Sequence, residues 1–96
     1  MLVEFSTFPL GKSEGLSEEV SKSIKIIEES GLDYELTAMG TLLEGDWDQV
    51  METVKKCHMA ISENYDRVET SIKIDDRVGK TGRLKGKVQS VENKLE

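Results

Sequence analysis

Few side chains in this chain have the type and spacing that enzyme chemistry requires. Cys57 and His58 are its only cysteine and histidine. Neighbouring positions on a helix point about 100° apart, so these two cannot form a nucleophile–base pair, and they are too few for a zinc site. The segment Gly79-Lys80-Thr81-Gly82 is similar to a phosphate-binding loop but lacks the first glycine of that motif. We therefore expect no catalytic residue, no metal and no cofactor, and predict that the protein is not an enzyme.

Hydroxyl and carboxylate side chains instead fall on segments predicted to be strands. The first segment, about residues 2–8, alternates Val3 and Phe5 with Glu4 and Ser6, which is the pattern of a half-buried strand. Two short strands at about 34–39 and 40–45 are joined at Met39-Gly40. The polar face of such a sheet is suited to holding a small molecule rather than to converting it.

Helical patterns separate these strands. Ser17 has the position of an N-cap, and Gly31 that of the residue that ends the first helix. The apolar stripe of that helix is predicted to consist of Leu16, Val20, Ile24 and Ile27. Asp46, with Gln49 three positions later, has the pattern of a capping box that starts the second helix. Its apolar side is predicted to contain Trp47, Val50, Met51, Val54, Cys57 and Ile61.

The last third of the chain predicts one strand and one helix. Residues 68–75 alternate strictly between apolar or threonine side chains and polar ones, which is the clearest strand signal of the chain. A final helix from about 81 to 95 has one apolar stripe of Leu84, Val88, Val91 and Leu95. Because the other two helices already cover the sheet, this stripe is predicted to serve oligomerisation; the alternative is that it folds back onto its own domain.

The order βαββαβ predicts a ferredoxin-like α+β fold, with an antiparallel four-stranded sheet and an extra C-terminal helix, in a single domain spanning residues 1–96. Side chains predicted to face the helices are Val3, Phe5, Leu36, Val68, Thr70, Ile72 and Ile74. Side chains predicted on the opposite, open face are Glu4, Ser6, Phe8, Glu35, Thr37, Met39, Glu69, Ser71 and Lys73. This open face is either solvated or covered by a second copy of the chain. Two-fold closure then favours a homodimer or a dimer of dimers.

Charge and composition narrow the partners. The net charge is −6, with 14 acidic against 5 basic side chains up to Asp66 and 5 against 8 from Arg67 onward. An acidic chain is a poor candidate for nucleic-acid binding, which depends on neutralising phosphates. No run approaches the roughly 20 apolar residues of a membrane span. The lone cysteine fits a reducing compartment, so we expect a cytoplasmic protein.

Three segments resemble the small thiamine-binding-protein family: residues 3–11 (VEFSTFPLG), 31–45 (GLDYELTAMGTLLEG) and 77–80 (RVGK). The resemblance covers nearly the whole chain, although the family commonly has proline where this chain has Ala38. It implies a ferredoxin-like fold, tetramers assembled from dimers, and binding of thiamine or of its hydroxymethylpyrimidine portion.

A thiamine-like ligand would need hydroxyls for its aminopyrimidine, a flat or pliable apolar neighbour, and carboxylates for its thiazolium. Pattern and resemblance together assign ligand contacts to Ser6, Phe8, Thr37, Met39, Thr41 and Glu44, with Glu4, Glu35, Glu69 and Trp47 as further candidates. Two alternatives stay open: a purely structural or regulatory oligomer, and a regulatory module that binds an amino acid.

Overall fold

The structure, a computed structural model, describes residues 1–11, 16–79 and 83–95. Its elements follow the predicted βαββαβ order with a further helix at the C-terminal end. They are β1 (Leu2–Pro9), α1 (Leu16–Ser30), β2 (Asp33–Thr37), β3 (Gly40–Glu44), α2 (Trp47–Ser62), β4 (Val68–Asp75) and α3 (Arg83–Leu95). The predicted ferredoxin-like fold is therefore confirmed. The predicted start of the last helix near residue 81, and Lys80-Thr81-Gly82, lie outside the described residues.

The four strands form one antiparallel sheet in the order β2-β3-β1-β4. β1 pairs with β4 along its whole length, from Leu2↔Asp75 to Pro9↔Val68. Its pairing with β3 is shorter and ends at Phe5↔Thr41. The second half of β1 therefore has a neighbour on one side only, and the β2–β3 hairpin turns back beside its middle.

The strand register confirms the predicted alternation of side chains. Val3 lies opposite Ile74 on one side and Leu43 on the other, and Val3 and Leu43 are completely buried. The next residue of β1, Glu4, is exposed and lies opposite Lys73, on the face predicted to be open. The core sits between the first face and the helices, and its buried members are Val3, Phe5, Ile27, Leu43, Val50, Val54 and Cys57.

Helix α1 is oriented differently from the prediction. Its buried positions are Glu19, Ser23 and Ile27, whereas Val20 is 53% exposed. The buried carboxylate of Glu19 accepts a hydrogen bond from the Tyr65 hydroxyl at 3.2 Å, and this contact with the segment after α2 favours the rotated position. The stripe prediction was therefore wrong at Val20, while the side chain of Leu16 lies outside the described residues.

The predicted start of α1 needs correction, whereas Asp46 is confirmed as the N-cap residue of α2. Ser17 lies inside α1, which begins at Leu16, and its carbonyl accepts the Ser21 hydroxyl at 2.8 Å. Asp46 does precede α2 in an extended conformation, and its carbonyl accepts the Val50 N–H at 2.9 Å. Its side chain makes no capping hydrogen bond, so the capping box with Gln49 is not formed.

The apolar side of α2 is confirmed except at its first residue. Val50, Val54, Cys57 and Ile61 are buried, whereas Trp47 is 54% exposed. Trp47 begins the helix and therefore lies at the edge of the layer rather than over the core.

The first turn of helix α3 packs against the sheet of the same copy of the chain. It contacts β3 and β2, and Leu84 is buried. Val91 and Leu95, further along, are 58% and 81% exposed, and the side chain of Val88 lies outside the described part of the chain. Val91 and Leu95 therefore remain uncovered by this copy of the chain, and the role of this helix in oligomerisation stays a prediction.

Gly40 allows the hairpin to approach β1. A Cβ added there would lie 2.7 Å from the backbone oxygen of Phe5, which cannot move without disturbing the Phe5↔Thr41 pair. We expect Gly40→Ala to lower the free energy of unfolding by about 1–3 kcal/mol in urea titrations. Gly86→Ala is the matched control, since its added Cβ meets nothing within 4 Å and alanine favours a helix. If the two variants are equally stable, the conclusion that residue 40 has no room for a side chain beside Phe5 is contradicted.

Candidate functional site

A cleft of about 670 Å³ opens between α1 and the β2–β3 hairpin; we call it the hairpin cleft. Strand β1 contributes residues 5–8, and α1 contributes Val20, Ser23 and Ile24. The hairpin contributes residues 36–41. The volume lies in the range of about 300–1,000 Å³ that is usual for small-molecule sites.

The strand register explains why the chain leaves this cleft open. β3 stops pairing with β1 at Phe5, so the sheet narrows where α1 passes the hairpin. Val20 and Leu36 line the cleft and are 53% and 47% exposed. Half-exposed aliphatic side chains in a concave site favour a flat apolar ligand, which would remove them from water.

Two hydroxyls of the cleft differ in what they can offer a ligand. Thr37 Oγ1 donates to the Gly40 carbonyl at 2.9 Å and accepts the Met39 N–H at 3.2 Å, so this hydroxyl holds the turn. Ser23 Oγ is shielded from solvent and makes no hydrogen bond of ordinary geometry among the described residues, while the Ser23 side chain lies close enough to the Cys57 thiol to lower its pKa. This hydroxyl therefore offers less to a ligand in the cleft than an accessible hydroxyl does.

A third hydroxyl connects the cleft to α2. Thr7 lines the cleft, and its Oγ1 lies 2.7 Å from Oγ1 of Thr70. That atom in turn lies 2.6 Å from Nδ1 of His58. These three side chains come from β1, β4 and α2. The two threonines meet because the register of β1 and β4 places Thr7 opposite Thr70.

The structure brings five of the six predicted contact residues together around the hairpin cleft. They are Ser6, Phe8, Thr37, Met39 and Thr41. Ser6 and Phe8 reach it because β1 extends past the end of β3. Glu44 lies at the other end of β3, opposite Leu2 and Asp33. Contact of these side chains with a ligand stays a prediction.

Eight further residues of the cleft were not predicted to contact a ligand. These are Phe5, Thr7, Val20, Ser23, Ile24, Leu36, Ala38 and Gly40. Alternation or helical spacing marks half of them as core residues, and Ser23 lies off the predicted stripe. The signal that could identify them is the unequal length of the strands, since β1 is longer than β3 and must leave part of its edge unpaired.

Polar groups outside the hairpin cleft line a second pocket and include the histidine and the cysteine of the chain. A smaller pocket of about 110 Å³ on the open side includes Glu4, Ser6, Ser71 and Lys73. Within residues 1–11, 16–79 and 83–95, no group of three or more His, Cys, Asp and Glu side chains has the geometry to hold a metal ion. His58 is bonded to Thr70 rather than to Cys57, whose Sγ donates to the Ser23 carbonyl at 3.7 Å.

Burial raises the pKa of the Cys57 thiol from 9.0 to about 11. At pH 8 we expect Ellman's reagent to modify the folded protein at least about 100-fold more slowly than the urea-unfolded chain, because the thiolate fraction and the access are both reduced. The unfolded thiol releases its proton first, so the stability that the neutral buried thiol contributes is lost as the pH rises from 9 towards 11. Cys57→Ala should remove that part of the pH dependence, and rapid labelling of the folded protein would contradict the prediction.

No helix in the described ranges has the length and apolar content needed to cross a bilayer.

Comparison with known proteins gives a consistent result. The sequence profile described as thiamine-binding protein matches residues 3–92. The chain is 41% identical over 96 residues to the UPF0045 protein Mb1933 of Mycobacterium bovis, covering 99% of this chain and 94% of the relative. It is 36% identical over 91 residues to the UPF0045 protein MJ1052 of Methanocaldococcus jannaschii, covering 95% and 91%.

Solved structures agree with the fold. The crystal structure of the hypothetical protein MJ1052 superimposes with a TM-score of 0.87, covering 95% of this chain and 94% of that one at 36% identity. A candidate thiamine biosynthesis/salvage protein of Thermotoga maritima superimposes with a TM-score of 0.77, covering 92% and 96% at 24% identity. The second likeness concerns the fold alone.

Proposed function

Since this chain belongs to the thiamine-binding protein family, we propose that it binds thiamine or its hydroxymethylpyrimidine portion in the hairpin cleft and carries out no reaction on it. The observation that carries the proposal is a cleft of small-molecule size in which half-exposed aliphatic side chains, Val20 and Leu36, lie beside threonine residues of the sheet. A flat heteroaromatic ring matches both features.

The chemistry of the aminopyrimidine fits this lining. Its ring faces are apolar and suit contact with Val20, Ile24 and Leu36. Its ring nitrogens accept hydrogen bonds and its amino group donates them, so the hydroxyls of Thr7 and Thr41 are suited to bond its edge.

The thiazolium portion would extend out of the cleft. Phe8 and Met39 line the cleft and are 40% and 84% exposed, so they offer an aromatic face and a flexible thioether to a cation. Glu4 and Glu69 lie on the open face of β1 and β4, near Ser6 and Phe8 in the register. Their charge would favour thiamine over a neutral analogue.

Calorimetric titration tests the proposal. Thiamine and hydroxymethylpyrimidine should each give saturable heat at micromolar to high micromolar concentrations, and thiamine should lose more affinity with added salt because of its charge. Amino acids, titrated in parallel, should give none. Absence of heat with both pyrimidines, or saturable heat with an amino acid alone, would overturn the proposal.

The assembly forms a second part of the proposal. We infer a cytoplasmic homodimer or dimer of dimers in which α3 contacts another copy, because Val91 and Leu95 present exposed apolar side chains on that helix. Light scattering should report a multiple of the 10.8 kDa chain mass, and the double variant Val91→Lys, Leu95→Lys should reduce it. A monomeric parent protein would overturn this part and leave the cleft unaffected.

A further inference from the structure

We propose that His58, acting through Thr70, sets the hydrogen-bonding polarity of Thr7 in the hairpin cleft, so that protonation of His58 favours ligands that present an acceptor to Thr7. His58 is in this account a positioning residue, since it acts on the ligand through two other side chains. The inference rests on the proposed function, because it requires a ligand in the cleft.

The geometry forms one continuous path. Nδ1 of His58 lies 2.6 Å from Oγ1 of Thr70, which lies 2.7 Å from Oγ1 of Thr7. The oxygen–oxygen distance lies in the usual range for a hydrogen bond, and the nitrogen–oxygen distance is slightly shorter than usual. Thr7 and Thr70 face each other across the β1–β4 pair, and Thr7 lines the cleft.

Each hydroxyl in this path has a single proton to donate. If Nδ1 carries a proton, it donates to Thr70, Thr70 donates to Thr7, and the Thr7 hydroxyl is free to donate into the cleft. If Nδ1 is bare, Thr70 can donate to it and Thr7 then donates to Thr70, so the cleft meets only lone pairs of Thr7. A charged imidazole has protons on both nitrogens and excludes the second arrangement, in which Thr70 donates to Nδ1.

The two arrangements differ for an acceptor and hardly at all for a donor. A ring nitrogen placed at Thr7 gains a hydrogen bond only when Thr7 donates into the cleft. An amino group can be accepted in both arrangements, because the Thr7 oxygen keeps at least one free lone pair. Affinity for a ligand with a ring nitrogen at this position should therefore rise as His58 becomes protonated, and binding should in turn favour the protonated form.

Other charges near this path are few in the described residues. α2 contacts α1, β1 and β4. From α1 the buried charged group is Glu19, which is bonded to Tyr65 and Lys22. The helix faces of β1 and β4 present uncharged side chains: Val3, Phe5, Thr7 and Pro9, and Val68, Thr70, Ile72 and Ile74. On α2 itself Lys55 precedes His58 by three positions and Cys57 is adjacent to it.

The test is a calorimetric titration with 4-amino-5-hydroxymethyl-2-methylpyrimidine at pH 5.5 and pH 8. The full chain and its Thr70→Val variant are compared, since valine keeps the shape of threonine and removes the hydroxyl. The ratio of the affinities at the two pH values should be about threefold to tenfold larger in the parent protein than in Thr70→Val, in favour of pH 5.5. A protonated ring nitrogen cannot accept a hydrogen bond, so the protonation of the free pyrimidine is measured by ultraviolet titration and all affinities refer to its neutral form.

Two further variants complete the design. His58→Phe keeps a flat ring and should lose the same pH dependence. Thr53→Val is the matched control, since Thr53 is a buried threonine of α2 whose hydroxyl donates to the Gln49 carbonyl away from the cleft; it should behave as the parent protein.

A spectroscopic measurement tests the path without a ligand. His58 is the only histidine of the chain, so its ring nitrogens give unambiguous NMR signals. Thr70→Val should displace the Nδ1 signal, and Thr53→Val should not.

The outcomes separate the two proposals. Binding whose pH ratio is the same in the parent protein and in Thr70→Val would overturn the role of His58 and leave the proposed function intact, as would an unchanged Nδ1 signal. Absence of binding at both pH values would overturn the proposed function and this inference with it.

Discussion

A tryptophan at position 20 should abolish pyrimidine binding. Val20 lines the hairpin cleft from α1 and is 53% exposed, so a larger side chain can extend into the cleft without entering the core. We expect Val20→Trp to weaken binding of hydroxymethylpyrimidine at least about 100-fold in calorimetric titrations, since each 1.4 kcal/mol of lost contact is about tenfold. The circular dichroism spectrum and the unfolding midpoint should change little.

Met59→Trp is the control for that experiment. Met59 is 49% exposed on α2 and does not line the cleft, so it matches Val20 in exposure and in secondary structure. The affinity of Met59→Trp for hydroxymethylpyrimidine should equal that of the parent protein. If Val20→Trp binds as tightly as Met59→Trp, the ligand lies elsewhere.

The second large effect concerns stability. Leu43 is completely buried in the core beneath the helices, so Leu43→Ala should lower the free energy of unfolding by about 2–5 kcal/mol. Leu36, on the neighbouring strand, is 47% exposed in the cleft, and Leu36→Ala should cost less than about 1.5 kcal/mol.

Urea unfolding of the two variants separates the core from the cleft. We expect Leu43→Ala to lose stability, and Leu36→Ala to lose mainly affinity for the pyrimidine. Equal losses of stability would show that Leu36 is covered in solution, which would contradict an open cleft.

The element order and the faces of the sheet follow from local patterns. The alternation of residues 68–75 defines β4, and Gly31 has a φ of +75° immediately after α1, the left-handed conformation expected of a residue that ends a helix. Such signals lie within a few positions of one another and do not depend on contacts between distant parts of the chain. They were sufficient to predict the order of the elements and the fold.

The site depends on contacts that periodicity does not contain. Glu19 is buried and the Tyr65 hydroxyl, 46 positions later, bonds its carboxylate, and in this orientation of α1 the side chain of Val20 lines the cleft. Thr7 joins His58 only through Thr70, 63 positions away along the chain. These residues can be predicted only when the strand register is known. The sequence therefore indicated the cleft residues at the end of β1 and in the hairpin, and it missed those contributed by α1.

The location of the bound ring is the central claim, and an amide NMR titration with hydroxymethylpyrimidine tests it most directly. Saturable shifts should centre on Thr7, Ser23 and Thr41, three residues that line the hairpin cleft from three different elements. Shifts that centre on Ser71 and Lys73 of the open face, with Ser23 unchanged, would contradict the account.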